Sequence, residues 1–354
     1  MLLLIVFLFT LISLLSFFST TPIFNNKIYR TIVYLSLLVT IGLLFANRPN
    51  EAFSDTLTYI DFFNDYRNLS LIEAIYSSPM ETGFTILQWI ISQVTWNSTI
   101  YFFILFIIFF IILKISFKKV FKNDYLFALL AFMCTPMFVS MSGNILRTGL
   151  AFSFFLLGLA YILKNKKFFS IPWLLLSVLF HTTFLPFVLV IVFFKINRFS
   201  FRIFYLALFI TSLIFLSNLQ TTIFPFISKF DKVGVYTSQT AFEQYGNNGL
   251  RYDFFLFNIF LILFLIIINK YGLRFKDEFV NYFLKLTIFS DVIFHLLGFI
   301  AYSDRLAIYV WLFFSITLIV MVLKLSQKYP VILPVYLLTC IMLSIITKSY
   351  LYFH

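Results

Sequence analysis

The chain has 354 residues, of which 62% are hydrophobic, 22% aromatic and only 11% charged, and phenylalanine alone supplies 53. A soluble protein carries about 25% charged residues, and no soluble domain of this length has core enough to hide such an apolar surplus. Lipid is therefore the main solvent, which excludes a large soluble domain, a secreted disulfide scaffold and a nucleic-acid-binding protein; the net charge of +12 is the Lys/Arg excess of cytoplasmic loops.

A spanning helix takes about 20 apolar residues, and the apolar runs follow one another closely. The first, 2–18, has neither a basic start nor a small-residue cleavage site and is read as a retained helix. A second covers 28–46. The outer loop 47–97 then holds six of the fourteen acids, Glu51, Asp55, Asp61, Asp65, Glu73 and Glu81. Its moderately apolar second half, Thr82–Val94, with Gln88, Trp89 and Gln93, suits an interfacial or re-entrant helix. Runs at 98–117, 124–142 and 145–163 come next, then an apolar stretch at 168–194 interrupted by His181 and Pro186. After 200–217, a second outer loop, 218–251, is rich in Thr, Ser, Gln, Asn and Gly and ends in Tyr245-Gly246-Asn247-Asn248-Gly249. Runs at 252–269, 279–300, 305–323 and 330–347 complete the chain. Cys134 and Cys340 both sit inside apolar runs, without metal-ligand spacing.

Charge decides how 168–194 is threaded. Basic residues cluster at Lys27/Arg30, Lys114–Lys122, Lys164–Lys167, Lys195–Arg202, Lys270–Lys276 and Lys324/Lys328, and the positive-inside rule assigns them all to the cytoplasm. A single crossing of 168–194 would split two of these clusters between opposite faces. A hairpin of two short helices with His181 at its outer tip keeps them together. Cytoplasmic loops then hold 17 basic and 3 acidic residues, and outer loops 8 basic and 10 acidic. The fold predicted is all-α: one integral membrane domain over 1–354 with about 12 passages, including the short hairpin, and both termini outside.

The polar residues point the chemistry outward. There is no P-loop, G-x-S-x-G, H-E-x-x-H or G-x-G-x-x-G, and His181, His295 and His354 are too scattered for a zinc site. Arg48, Arg147, Arg251 and Arg305 each stand at the outer end of a predicted helix. Such an arginine can snorkel or pair with a nearby acid, as Arg251 can with Asp253, Arg305 with Asp304 and Arg48 with Asp55. Four on one face are also what a lipid-linked pyrophosphate requires, since the planar guanidinium matches phosphate oxygens in pairs. Asp291 and His295, four apart on one helix face with Lys285 nearby, read as a structural intramembrane pair. The phenylalanines read as lipid contact.

Several segments carry a resemblance. Arg48 with Asp55-Thr56-x-x-Tyr59 and Glu81-x-Gly83-Phe84 resembles the first outer loop of EpsG-like, Wzy-type polysaccharide repeat-unit polymerases. Residues 144–151, NILRTGLA, are similar to that family's Arg-x-x-Leu-Ala helix start, with Thr148 where Gln is common. Phe180-His181-Thr182-Thr183 resembles its Phe-His-x-Ser/Thr turn, and Asp304-Arg305-Leu306 with Tyr309 its late Arg-x-x-x-Tyr helix. Gly249-Leu250-Arg251-Tyr252-Asp253-Phe254 looks like the basic-aromatic exit from the large periplasmic loop of O-antigen polymerases.

The resemblance implies a bacterial inner-membrane glycosyltransferase with a periplasmic site. It would move a growing glycan from undecaprenyl pyrophosphate onto a new lipid-linked repeat unit, with no metal and no cofactor. Catalytic roles fall on His181, Arg147, Arg251 and Arg305, and substrate-binding roles on Arg48, Asp55, Tyr59, Glu81 and Tyr252. His181, with an intrinsic pKa of about 6.5, suits a base or orienter at the acceptor hydroxyl, while Asp55 and Glu81 suit hydrogen bonding to sugars. The partners implied are the lipid-linked oligosaccharide, the bilayer and, as a candidate, a chain-length regulator protein. A flippase or transporter, an O-antigen ligase-like transferase and a membrane acyltransferase stay open as alternatives.

Overall fold

The structure, a computed structural model, describes residues 26–192, 196–223, 243, 250–274, 276–329, 331–332 and 335–336. The run 2–18, most of the run 330–347, most of the loop 218–251 with its Tyr245–Gly249 tail, and Cys340 lie outside the described residues. What is described is helical, with no strand. Six stretches are long and apolar enough to cross a membrane: Lys27–Ala46, Ser98–Met133, Leu146–Leu163, Tyr252–Leu273, Glu278–Leu297 and Asp304–Ser326. Three shorter apolar helices accompany them, Lys167–Phe180, Thr182–Val192 and Phe201–Leu216. The protein is thus a multi-pass helical membrane protein, with six long spans among the described residues against the twelve passages expected for the whole chain.

The chain divides into two compact units, residues 1–192 with 333–354, and residues 193–332. In the first, α1 (Lys27–Ala46) leads into the loop helices α2 (Thr56–Asp65), α3 (Leu71–Ser77) and α4 (Thr82–Val94). Then come α5 (Ser98–Phe121), α6 (Tyr125–Met133), α7 (Pro136–Gly143), α8 (Leu146–Leu163), α9 (Lys167–Phe180) and α10 (Leu185–Val192). The run 124–142 is therefore not one helix. Proline has no N–H to continue the ladder and disfavours helical backbone in the residue before it, so Pro136 starts a new helix. Thr135 caps that helix, accepting from the Phe138 N–H at 3.4 Å. The segment 168–194 does break in two, at His181, into helices of 14 and 8 residues.

Helix α8 packs along α5, α7 and, most extensively, α9, and α1 packs on α5. Phenylalanine fills this interior rather than facing lipid alone. Phe45, Phe106, Phe109, Phe110 and Phe138 form a nest of ring contacts 5.4–6.4 Å between centroids. Phe110, Phe117, Phe132, Phe152 and Phe155 are completely buried. Lipid tails are as apolar as the side chains, so helix association in a bilayer depends on dense packing and hydrogen bonds, and large flat rings supply many contacts each.

The second unit holds α11 (Phe201–Leu216), α12 (Tyr252–Ile268), α13 (Glu278–Leu297) and α14 (Asp304–Ser326), with α13 packed on α11, α12 and α14. Its buried polar chain is longer than the expected Asp291–His295 pair, whose closest N···O distance is 3.3 Å. The Trp311 indole N–H donates to Asn258 Oδ1 at 2.8 Å, and Asn258 Nδ2 donates to Asp291 Oδ1 at 2.9 Å. His295 Nδ1 lies 3.3 Å from Thr211 Oγ1, and Lys285 donates to the Phe199 carbonyl at 2.7 Å. Asn258 joins three helices, and removing it leaves an indole N–H and a carboxylate oxygen without that partner. Asn258→Leu is expected to destabilise the protein by about 1–2 kcal/mol, read as a lowered thermal midpoint of the purified protein in detergent.

Candidate functional site

Helices α8 and α9 are joined by only Lys164, Asn165 and Lys166, Asn165 taking a left-handed φ of 58° to make the turn. So short a connection makes the pair antiparallel. Arg147, second residue of α8, and His181, the residue that ends α9, therefore come to the same end of the pair. Lys164–Lys167 occupy the other end, about 27 Å away for 18 residues at 1.5 Å each.

The third member arrives on the loop. Glu81 precedes the first turn of α4 and makes no capping bond to that helix. Its carboxylate instead accepts Arg147 Nη1 on Oε2 at 2.7 Å and meets His181 Nδ1 on Oε1 at 2.5 Å. All three side chains are largely buried, 11–21% exposed. Tyr59 lies close enough to interact electrostatically with Arg147; it is 1% exposed and packs its ring on Phe84 at 5.6 Å.

This pairing explains an otherwise unfavourable choice. A helix N-terminus carries partial positive charge, so an arginine in the first turn of α8 needs an anion beside it. Burial raises the Glu81 carboxyl, but the hydrogen bond and charge of His181 and then the charge of Arg147 outweigh it and hold the group down at about 2. The folded-state value lies below the ordinary 4.5. The pairing therefore stabilises the fold fully above pH 4.5 and loses that contribution as pH falls through about 2. At neutral pH Glu81 is an anion.

Gly83 fixes the approach of the loop. A Cβ there would lie 2.8 Å from the Leu179 carbonyl oxygen and 3.0 Å from its carbon, so only glycine lets the first turn of α4 touch the last turn of α9 beside His181. Gly83→Ala favours the isolated helix by about 0.5–1 kcal/mol, yet it must push Glu81 away from its partners. Gly83→Ala is therefore expected to destabilise the protein by about 1–3 kcal/mol, read as a lowered thermal midpoint of the purified protein in detergent.

A second tie joins the loop to the start of α8. Asn144 Oδ1 accepts the Asp55 backbone N–H at 3.2 Å and the Ser54 hydroxyl at 3.1 Å, and the Phe53 ring covers Gly143. Arg48 does not pair with Asp55. Its guanidinium lies over Phe102, 3.6 Å from the ring centroid, and near Phe53, and Nη1 donates to the Phe45 carbonyl at 3.4 Å. Burial lowers its pKa to about 10, opposed by Tyr101 and Tyr59.

In the second unit, Arg251 makes the pair expected from sequence. Nε donates to Asp253 Oδ1 at 2.8 Å and Nη2 to Oδ2 at 2.5 Å, and its guanidinium lies over Phe254. Tyr252 opens α12 and stacks edge-on against Phe215. Arg305 lies over Tyr302, 4.9 Å from the ring centroid. Of the nine sequence-nominated residues, the structure thus joins Tyr59, Glu81, Arg147 and His181 in one cluster, with Arg48 and Asp55 in the same unit. Asn144 and Gly83 are the positioning residues that candidate set left out. Among the described residues no three His, Cys, Asp or Glu side chains gather as metal ligands.

Long apolar helices carrying a buried acid–arginine–histidine cluster where a loop docks on helix ends define a multi-pass membrane protein with a built polar site. Residues 27–354 match the EpsG family, and the chain belongs to that family, which is associated with polysaccharide-polymerase-type membrane proteins. No curated protein and no solved structure matches the chain.

Proposed function

We propose that the protein is a bacterial inner-membrane polysaccharide polymerase working at the periplasmic face. It transfers a growing glycan from undecaprenyl pyrophosphate to the terminal sugar of a lipid-linked repeat unit, of the O-antigen or capsule type. The observation that carries this reading is the single Glu81 carboxylate gripping both Arg147 and His181. With Nδ1–H donating to Glu81, His181 presents Nε2 as the free base, its tautomer and orientation set by the acid behind it.

The step is a displacement. The acceptor hydroxyl oxygen bonds to the anomeric carbon, its proton passes to His181 Nε2, and the bond from that carbon to the phosphate oxygen breaks. Undecaprenyl pyrophosphate leaves with its electron pair. Pyrophosphate is already a good leaving group, so the protein's share is alignment and positive charge where phosphate charge grows. Arg147 spends one of its five N–H donors on Glu81. The first turn of α8, uncapped by any side chain, adds backbone N–H groups suited to an anion. Arg48, Asp55 and Tyr59 are assigned to substrate binding around this cluster, and Arg251, Tyr252 and Arg305 to substrate contacts of the second unit. A chain-length regulator protein is the proposed partner.

Deleting the gene and inspecting the surface glycan tests the reading. A polymerase mutant retains single capped repeat units. Complete loss of capping would indicate a ligase, absence of any periplasmic repeat a flippase, and unaltered polymer would end the proposal.

A further inference from the structure

The loop of the first unit carries a cavity that the cluster does not use. It has a volume of about 440 Å³ and is walled by Phe62, Asn64, Asp65, Tyr66, Asn68 and Ser77, at the end of α2, the turn after it and the end of α3. That volume falls within the range of about 300–1,000 Å³ typical of small-molecule sites. Its lining has a distinct chemistry. Two carboxamides, a hydroxyl and a carboxylate supply both donors and acceptors, and no lysine or arginine is among them. Phe62 offers a half-buried ring, braced from behind by Tyr66 at 5.8 Å and 30°. A single acid without a basic residue disfavours an anionic ligand, and a wall that mixes Phe62, Tyr66 and Leu69 with four hydrogen-bonding side chains suits an amphipathic ligand better than a lipid tail. A flat apolar ring beside side chains that each take one or two hydroxyls matches the alternating faces of a pyranose.

The cavity is also wired to the cluster. The Tyr66 hydroxyl donates to Ser78 Oγ at 2.6 Å, and Ser78 is 2.8 Å from Thr85 Oγ1. Thr85 closes the first turn of α4 on the Glu81 carbonyl at 3.0 Å. One wall residue is thereby connected through two side-chain hydrogen bonds to the turn that positions Glu81.

We propose that this cavity is a saccharide subsite that holds a neutral sugar of the repeat unit away from the reacting carbon. The proposal rests on the polymerase reading for its purpose, but binding can be measured without turnover. Trp89 donates its indole N–H to the Leu69 carbonyl at 2.9 Å, and Leu69 also borders the cavity, so Trp89 fluorescence reports on it. The full-length protein, with Trp96, Trp173 and Trp311 changed to Phe, is titrated in nanodiscs with oligosaccharides released from the host's own surface polymer by mild acid. Saturable fluorescence change is expected, weakened at least tenfold by Asp65→Asn with Asn68→Ala. These two exposed positions carry little folding risk. No saturable change, equal affinity in the double variant, or the same response to inorganic pyrophosphate overturns the subsite. If the oligosaccharide binds here while gene deletion leaves polymer length unaltered, the subsite stands and the polymerase reading falls. If deletion removes polymer and nothing binds, the reverse holds.

Discussion

Glu81→Gln is expected to slow reconstituted polymerisation by about 10²–10⁴-fold, the range associated with losing a positioned acid–base group. The amide cannot balance Arg147 or stabilise an imidazolium on His181, although it occupies nearly the same volume. His181→Ala should lose a similar factor if, as proposed, the base and its orienting acid act as one device. Their combination is therefore expected to be no worse than the poorer single variant. A double variant whose losses multiply would mean that the 2.5 Å contact has no part in proton transfer. Undecaprenyl-pyrophosphate binding by His181→Ala should stay near that of the parent, which separates a base from a phosphate ligand.

Arg147→Ala is expected to cost about 10²–10³-fold in rate through the lost transition-state contact, and additionally to weaken carrier binding. It also strands Glu81, a buried anion, without its cation, and breaking a buried pair by removing one partner is costly in itself. Arg147→Lys distinguishes the two effects. Lysine can neutralise Glu81 and restore the fold, but it lacks the planar fork that serves carboxylate and phosphate together. Near-normal thermal stability with poor turnover is the outcome expected of Arg147→Lys, measured by melting in detergent beside polymer yield. Full turnover with lysine would reduce Arg147 to a structural counter-ion.

Much of this architecture was readable from apolar runs, because a bilayer imposes a length on any helix that crosses it. Lys27–Ala46, Leu146–Leu163, Phe201–Leu216 and Asp304–Ser326 start and stop within a few residues of the runs that predicted them. His181 was legible too, as a lone ionisable residue close to a proline in an otherwise apolar stretch. The break at Thr135-Pro136 was signalled by a capping threonine before a proline, but the run around it is apolar enough to conceal a change of helix. Burial of phenylalanine was not legible, since the same side chain suits lipid and protein interior equally. Asn258 carried a signal, a single carboxamide in a run of Phe, Leu and Ile, but its partners Asp291 and Trp311 come from helices that only the fold brings alongside.

The site itself was half visible. Arginine at a helix start and histidine at a helix break stand out against apolar neighbours. Glu81 does not stand out, being one of six acids in its loop. Its partners lie 66 and 100 residues further along, distances at which no local pattern specifies a contact. The available hint was Gly83 two residues on, since glycine near a helix start marks a place where backbones come close. The sugar-binding role expected for Glu81 is accordingly replaced by our proposal that it orients His181 and neutralises Arg147.

The close fit of Gly83 against Leu179 bears on how such proteins can be recombined. The loop meets the helices through three small-scale matches: a missing methyl at Gly83, the ring of Phe53 over Gly143, and the Asn144 acceptor for Asp55. A transplanted loop that keeps its acid but brings a larger residue at position 83 would dock without delivering it. Grafts between relatives should therefore carry residues 53–85 and 141–181 as one inheritance, and a swap attempted with either segment alone would yield a folded, inserted protein in which Glu81 no longer reaches Arg147 and His181.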